Sequence, residues 1–468
     1  MDYKELSVAQ FIRMSKEGDI DISDFYAKLN CELKALQKKY NYFVTVVENK
    51  DVSVDKDSKL AGLPVSAKDC ICTKGVQSTA GSKILEGYVP PFDATVIARA
   101  KKDGAVLIGK TVQDEFGFGT FSTNSAYGVP KNPHDVKRTC GGSSGGAAGL
   151  TAALDTAHIA FGQSTGGSIS CPSSFTGVVG LTPTYGRVSR YGLIDYANSL
   201  DKIGTIGKCV DDVRLLYDVV SGYDPLDQTS IKDEDKRDEK FDIKGLKFGI
   251  PKEYFPSDMD ESVRNVVLDA IDKIESLGAE VSECSLAHTK YSIPAYYIIA
   301  MAEASTNLAK YCGMRYGMEG NPSGKHFEEY FSDIRGKYLG DEVKRRIILG
   351  TYTRMAGYRD QYYLKAMRVR RLIIDDYKKA FKDFDALLSP TMPFIAPKFT
   401  EIEKLSPVEC YNADILTGAP NQAGIPMLSL PCGTSKGMPV GLHVLSDYLR
   451  EDIVLNVGEA FEKISGQK

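Results

Sequence analysis

The stretch Cys140-Gly-Gly-Ser-Ser-Gly-Gly-Ala147, followed by Thr165-Gly-Gly-Ser168, decides how this chain is read. It sets two serines, Ser143 and Ser168, in glycine-rich surroundings 25 residues apart. Glycine lets backbone N–H groups come close to a reacting carbonyl and tolerates the turns that expose a serine hydroxyl. An apolar, helix-like run, Ala147–Leu154, follows the first serine pair at once, which argues against a flexible linker. Upstream, Lys68 follows the small, apolar, strand-like segment Leu63–Ala67. A serine hydroxyl is a poor nucleophile until a base takes its proton, and lysine is such a base only when burial holds it neutral. A single lysine is by default a solvated surface charge. The combination nevertheless points to an acyl-transfer site built on serine and lysine, with no need for histidine.

Two competing spellings fail on context. Gly104-Ala-Val-Leu-Ile-Gly-Lys-Thr111 satisfies the G-x-x-x-x-G-K-T form of a phosphate loop, which needs a strand before it and a helix after it. Here a helix over Thr95–Asp103 comes first, closed by Gly104, and Ala105–Ile108 reads as a buried strand. Gly141–Gly146 contains G-x-S-x-G twice, but a nucleophile elbow follows a strand, and Asp135–Cys140 is charged and strand-poor. None of the histidines (His134, His158, His288, His326, His443) has a catalytic setting, so each reads as structural or superficial.

The chain's 468 residues allow a large core, and length alone would allow two or three domains. A net charge of -4 gives no global pull toward nucleic acid, so a role on RNA needs a local basic patch or a partner. Ten cysteines without a CxxC pair read as reduced thiols of a cytosolic protein. The first residues lack the apolar segment of a signal peptide, and no run approaches a membrane span, so a cytoplasmic protein without membrane contact is expected.

Residues 1–40 or so read as a helical segment, with Asp21–Tyr40 at helical spacing. Strands are expected at Leu246–Ile250, Ala279–Cys284, Asp385–Ser389, Met427–Leu430 and Val440–Leu445. An amphipathic helix over Glu261–Leu277 ends at Gly278. The charged stretch Ile231–Asp242 reads as an exposed loop. Mixed helix and strand implies an α/β fold with helices covering a sheet.

Gly62–Asp69, Gly104–Gly119, Lys131–Gly146, Thr165–Pro172, Gly177–Leu193, Glu342–Tyr352, Leu388–Pro393 and Gly424–Gly433 together resemble the amidase signature family over nearly the whole chain. The resemblance implies one α/β domain over residues 1–468, a large mixed β-sheet with helices on both faces. It places the nucleophile at Ser168, the bridging serine on a cis peptide at Ser143 and the base at Lys68. Backbone N–H groups from Thr165 through Gly166 and Gly167 to Ser168 would form the oxyanion hole.

Within the family the chain is most similar to the branch of tRNA-dependent amidotransferases. That branch implies a glutaminase subunit, with glutamine or asparagine as amide donor, supplying ammonia to convert Asp-tRNA(Asn) or Glu-tRNA(Gln) to Asn-tRNA or Gln-tRNA. It would place Arg346 on the substrate's α-carboxylate, Asp414 on its α-amino group and Tyr296 against the substrate. It implies no cofactor and no metal in this chain. ATP and Mg would belong to a larger B subunit that binds tRNA, and a small C subunit would wrap both. Two positions depart from the family: Ser164 stands where Asp is usual, and Ser170 where Arg is usual. The expectation is that these serines lie side by side, one neutral pair replacing a charged one. The rival readings are a stand-alone amidase acting on a small amide and a catalytically weakened scaffold subunit.

Overall fold

Short apolar segments between helices assemble, in the computed structural model, into one continuous sheet of eleven strands; the structure describes residues 3–232 and 240–466. Residues 233–239, the middle of the expected charged loop, lie outside the described residues. The strands are β1 (Phe43–Val46), β2 (Pro64–Lys68), β3 (Val106–Thr111), β4 (Ile159–Ser164), β5 (Val179–Thr182), β6 (Lys202–Gly207), β7 (Lys247–Pro251), β8 (Glu280–Cys284), β9 (Ala386–Pro390), β10 (Met427–Ser435) and β11 (Met438–Ser446). Their order across the sheet is β1-β3-β2-β4-β6-β5-β10-β11-β9-β7-β8. The three-strand group β3-β2-β4 is parallel, as is β9-β7-β8, and the strands between them run antiparallel, so the sheet is mixed.

β4, β6 and β11 are buried at every position, which requires cover on both faces. The helix Ser170–Thr176 packs on β5, β10 and β11. The helices Glu261–Ser276 and Glu451–Ser465, which touch each other, pack on the same two strands β10 and β11.

The expected helices form with their boundaries nearly as read: Ile22–Tyr40 is capped by the Asp21 side chain, and Thr95–Lys102 and Glu261–Ser276 each end before a glycine with positive φ. The phosphate-loop spelling is the buried strand β3, and its Lys110 Nζ donates to the Ile71 carbonyl and the Ser78 hydroxyl. The last two strands are longer than expected. β10 runs on past Leu430 because Pro431 sits where the β10–β11 register shifts, a place where a missing N–H does no harm. Lys436 and Gly437, both with positive φ, make the tight turn joining Ser435 to Met438. All ten cysteines are free thiols. Among the described residues no helix is long and apolar enough to cross a membrane.

The fold brings the quoted serines together through β2 and β4. They are parallel neighbours, with Ala67 level with Phe161, so Lys68 and Ser164 end their strands on the same side of the sheet. The helix Gly145–Ala153 precedes β4, and Ser170–Thr176 follows it. Close approach explains the glycines of the first helix: a Cβ on Gly146 would run into the carbonyls of Val112 and Tyr42.

Candidate active site

Lys68 is fully buried at the end of β2, and its Nζ has three neighbours: Ser143 Oγ at 2.8 Å, the Gln163 carbonyl at 2.8 Å and Gln163 Oε1 at 3.0 Å. Both Gln163 atoms only accept. A neutral amine has two N–H donors and one lone pair, so donating both hydrogens to Gln163 turns the lone pair toward the Ser143 hydroxyl. Burial draws the Lys68 pKa down from 10.5 to about 8, against the opposing pull of Cys70, Asp114 and Asp201. Ser143 follows a cis peptide bond from Gly142, and its carbonyl accepts from the Asp114 N–H at 3.3 Å. The Asp114 carboxylate accepts from the N–H groups of Ser122 and Asn124, which ties the surrounding loop to the cis segment.

Ser168 lies beyond β4, only 7% exposed, and its carbonyl accepts from the Ser144 N–H at 3.1 Å, stitching the two serine segments together. Among the described residues the N–H groups of Gly166 and Gly167 have no hydrogen-bond acceptor, so they are free to receive an oxyanion. The N–H of Ser168 does not join them as expected, because it donates to Ser164 Oγ at 3.1 Å. The loop is braced from below. Thr165 Oγ1 donates to Asp201 Oδ1 at 2.6 Å, Gln163 Nε2 donates to both, and the Asn421 amide donates to the Thr165 carbonyl. Asp201 Oδ2 accepts from the N–H groups of Tyr196 and Ala197, and burial raises this carboxyl to about 7.

Among the described residues the two serines at the unusual positions have separate hydrogen-bond partners and none to each other. Ser164 Oγ donates to the Gly166 carbonyl at 2.8 Å, whereas Ser170 Oγ meets His443 Nε2 at 3.3 Å.

Arg346 is a buried arginine on the inner side of the helix Asp341–Arg354, 3% exposed. Its Nε donates to Glu342 at 2.7 Å and its Nη1 to the Tyr196 hydroxyl at 2.8 Å. The rings of Phe118, Tyr297 and Tyr411 each lie 5.1 Å from the guanidinium carbon. That leaves Nη2 uncommitted among the described residues, on an arginine that lines a cleft. Neighbouring Arg345, which sequence alone could not separate from it, is instead an exposed partner of Glu342. Asp414 Oδ2 accepts from Tyr297 at 2.9 Å and Thr120 at 3.1 Å, and burial raises its carboxyl to about 6. Tyr296 lies against the glycine loop: a Cβ on Gly166 would come within 3.1 Å of its hydroxyl. A cleft of about 590 Å³ is lined by Thr120, Phe121, Glu342, Arg346 and Tyr411, among others.

The structure thus brings Lys68 to Ser143, joins the Ser144 and Ser168 backbones and sets Tyr296 against Gly166, while Arg346 lines the cleft and shares the neighbour Tyr297 with Asp414. Sequence reading missed Gln163, Asp201, Glu342 and Tyr297. The last offered a signal, since it adjoins Tyr296 on a helix otherwise rich in small residues.

Residues 30–455 match the family model described as Amidase. The chain is 50% identical over 408 residues to the A subunit of glutamyl-tRNA(Gln) amidotransferase from Methanococcoides burtonii, covering 86% of this chain and 85% of that one. It is 42% identical over 476 residues to the protein of the same description from Halothermothrix orenii, covering 100% and 99%. Among solved structures, the A subunit of glutamyl-tRNA(Gln) amidotransferase from Thermotoga maritima superposes with a TM-score of 0.84 at 38% identity, covering 99% of this chain and 95% of that one.

Proposed function

Since the chain belongs to the amidase family, we propose that it is the glutamine-hydrolysing subunit of a tRNA-dependent amidotransferase. The observation that carries this reading is the Lys68–Ser143 contact of 2.8 Å, with both amine hydrogens engaged by Gln163. Neutral Lys68 takes the Ser143 proton as Ser143 takes that of Ser168. Ser168 Oγ then bonds to the side-chain carbonyl carbon of glutamine. The oxygen left negative is met by the N–H groups of Gly166 and Gly167, with that of Thr165 beside them. Donors of this kind contribute about 3–4 kcal/mol each. The C–N bond breaks, the proton returns through Ser143 to the departing nitrogen, and ammonia leaves. Water then attacks the acyl-enzyme along the same path and releases glutamate.

Arg346 and Asp414 suit the two ends of a free amino acid. The guanidinium offers a planar donor to the α-carboxylate, and the carboxylate offers an acceptor to the α-ammonium. A simple aliphatic amide would bring no charged group to either Arg346 or Asp414, so neither residue would contribute to its recognition, which disfavours the stand-alone reading. Tyr296 would wall the acyl pocket above Gly166. In this proposal the ammonia passes to a B subunit that binds tRNA, ATP and Mg, and a C subunit completes the complex. The relatives' description as one lettered member of an amidotransferase supports the presence of other subunits.

The test is co-purification of the chain with its native partners, followed by glutamine hydrolysis by the complex. Ser168→Ala should abolish hydrolysis, and activity that survives it would sink the assignment. Turnover of simple aliphatic amides at rates matching glutamine would favour a stand-alone amidase.

A further inference from the structure

Ser170 begins the helix that follows the nucleophile, and it contacts a histidine that the proposed reaction does not use. His443 is fully buried on β11, with Ser429 of β10 and Ser389 of β9 directly across from it. A residue at this register is hydrogen-bonded into the sheet between two neighbouring strands. The helix Ser170–Thr176 lies on β5, β10 and β11, so the Ser170–His443 contact joins the first turn of that helix to the middle of the sheet. Ser168 is only two residues upstream, and its N–H is already committed to Ser164. Ser164 thus holds the nucleophile's N–H directly from the end of β4, while Ser170, two residues on, ties the start of the helix to the sheet.

We propose that His443 is a positioning residue for the nucleophile, anchoring Ser170 to the central sheet through a neutral hydrogen bond and so fixing where Ser168 Oγ points. The inference rests on Ser168 being the nucleophile of the proposed function. The imidazole is suited to a neutral role: burial, and then the nearby Lys202 ammonium, keep it unprotonated, with a pKa of about 3. Its Nδ1 has no partner among the described residues. An unpaired acceptor is better tolerated in a core than an unpaired N–H. The tautomer with hydrogen on Nε2, donating to Ser170 Oγ, is therefore the favoured one. Glutamine can present a similar N–H at this position, whereas leucine fills the space with no donor.

The experiment compares wild type with His443→Gln, His443→Leu, Ser170→Ala and the His443→Leu/Ser170→Ala double variant, all in the full chain within its native complex. Two readouts are used: kcat and KM for glutamine, and the rate at which a fluorophosphonate probe labels Ser168. The probe needs no glutamine. A wild type that labels but does not hydrolyse glutamine would overturn the proposed substrate and leave this inference open to measurement. The expected result is His443→Gln within about threefold of wild type. His443→Leu and Ser170→Ala should each lose about tenfold or more in both kcat and labelling rate, with KM changed less than about threefold. The double variant should lose no more than the worse single one, because one bond is removed either way. Wild-type labelling by both single variants, or additive losses in the double variant, would overturn the proposal. Should His443→Leu fail to fold, Ser170→Ala against wild type decides the question alone.

Discussion

Gln163 grips Lys68 twice, through its main-chain carbonyl at 2.8 Å and its side-chain Oε1 at 3.0 Å. The same carboxamide donates from Nε2 to Thr165 and Asp201, so one residue touches both the proposed base and the loop proposed to hold the oxyanion. Gln163→Met keeps the volume and the main-chain contact to Lys68 but loses the side-chain bonds to Lys68, Thr165 and Asp201. We expect kcat for glutamine to fall about tenfold to a hundredfold, with KM within about threefold of wild type, because the substrate's charged ends are held elsewhere. Steady-state kinetics on the complex measures the split; a rise in KM alone would show that Gln163 serves binding instead.

The pH dependence follows from the direction of the lysine shift. In the proposed mechanism Lys68 works only when neutral, and its pKa is drawn down to about 8. As pH falls below that value the neutral fraction, and with it kcat, drops tenfold per unit; above it kcat reaches a plateau. As the proposed partner of the α-ammonium, Asp414 must be charged, and its pKa is raised to about 6, so below that value KM should climb as well. A profile of kcat and KM between pH 5 and about 9.5 separates the two limbs. A kcat that is flat from 6 to 9 would refute the lysine as base.

Lys68, Ser143 and Ser168 were legible because glycine spelling marks the serines and a family resemblance marks the lysine. Residue chemistry alone would have left Lys68 on the surface. Gln163 and Asp201 were not legible, because their contact depends on β4 pairing with β6, where Gln163 lies level with Ile203, and no local pattern specifies that pairing. The same holds for His443, whose meaning comes from its strand neighbours and from a helix more than 270 residues away in sequence. Helix ends were read nearly to the residue because caps are local, whereas strand order, set by contacts far apart in the chain, was not readable at all.

Arg346 and Asp414 should divide the substrate between them. Arg346→Met removes the carboxylate partner and should raise KM for glutamine about tenfold to a hundredfold, the range for a charge-assisted hydrogen bond. That penalty should vanish with 4-aminobutanamide, which lacks the carboxylate. Asp414→Asn should show the reverse pattern, penalised on glutamine and not on glutaramate, which lacks the amino group. Hydrolysis kinetics on the three amides checks both halves. Equal penalties on every substrate would mean that the two residues hold the fold and not the ligand.

The oxyanion loop has no room for a side chain at Gly167, where a Cβ would be driven into Thr417 Oγ1. Thr417 cannot easily retreat, since its hydroxyl donates to the Asp414 carbonyl at 3.3 Å and its N–H to the same atom at 3.1 Å. In Gly167→Ala the loop must shift instead, turning the Gly167 N–H away from the reacting carbonyl. Loss of one such donor costs about a hundredfold to a thousandfold in kcat. At Gly166 the contact is milder, with the Tyr296 ring edge beginning at 3.1 Å, so Gly166→Ala should lose less. Combining Gly166→Ala with Tyr296→Leu, which clears the ring, should recover part of the loss. Turnover numbers for the three variants test the order, and a Gly167→Ala enzyme as fast as wild type would remove Gly167 from the oxyanion hole.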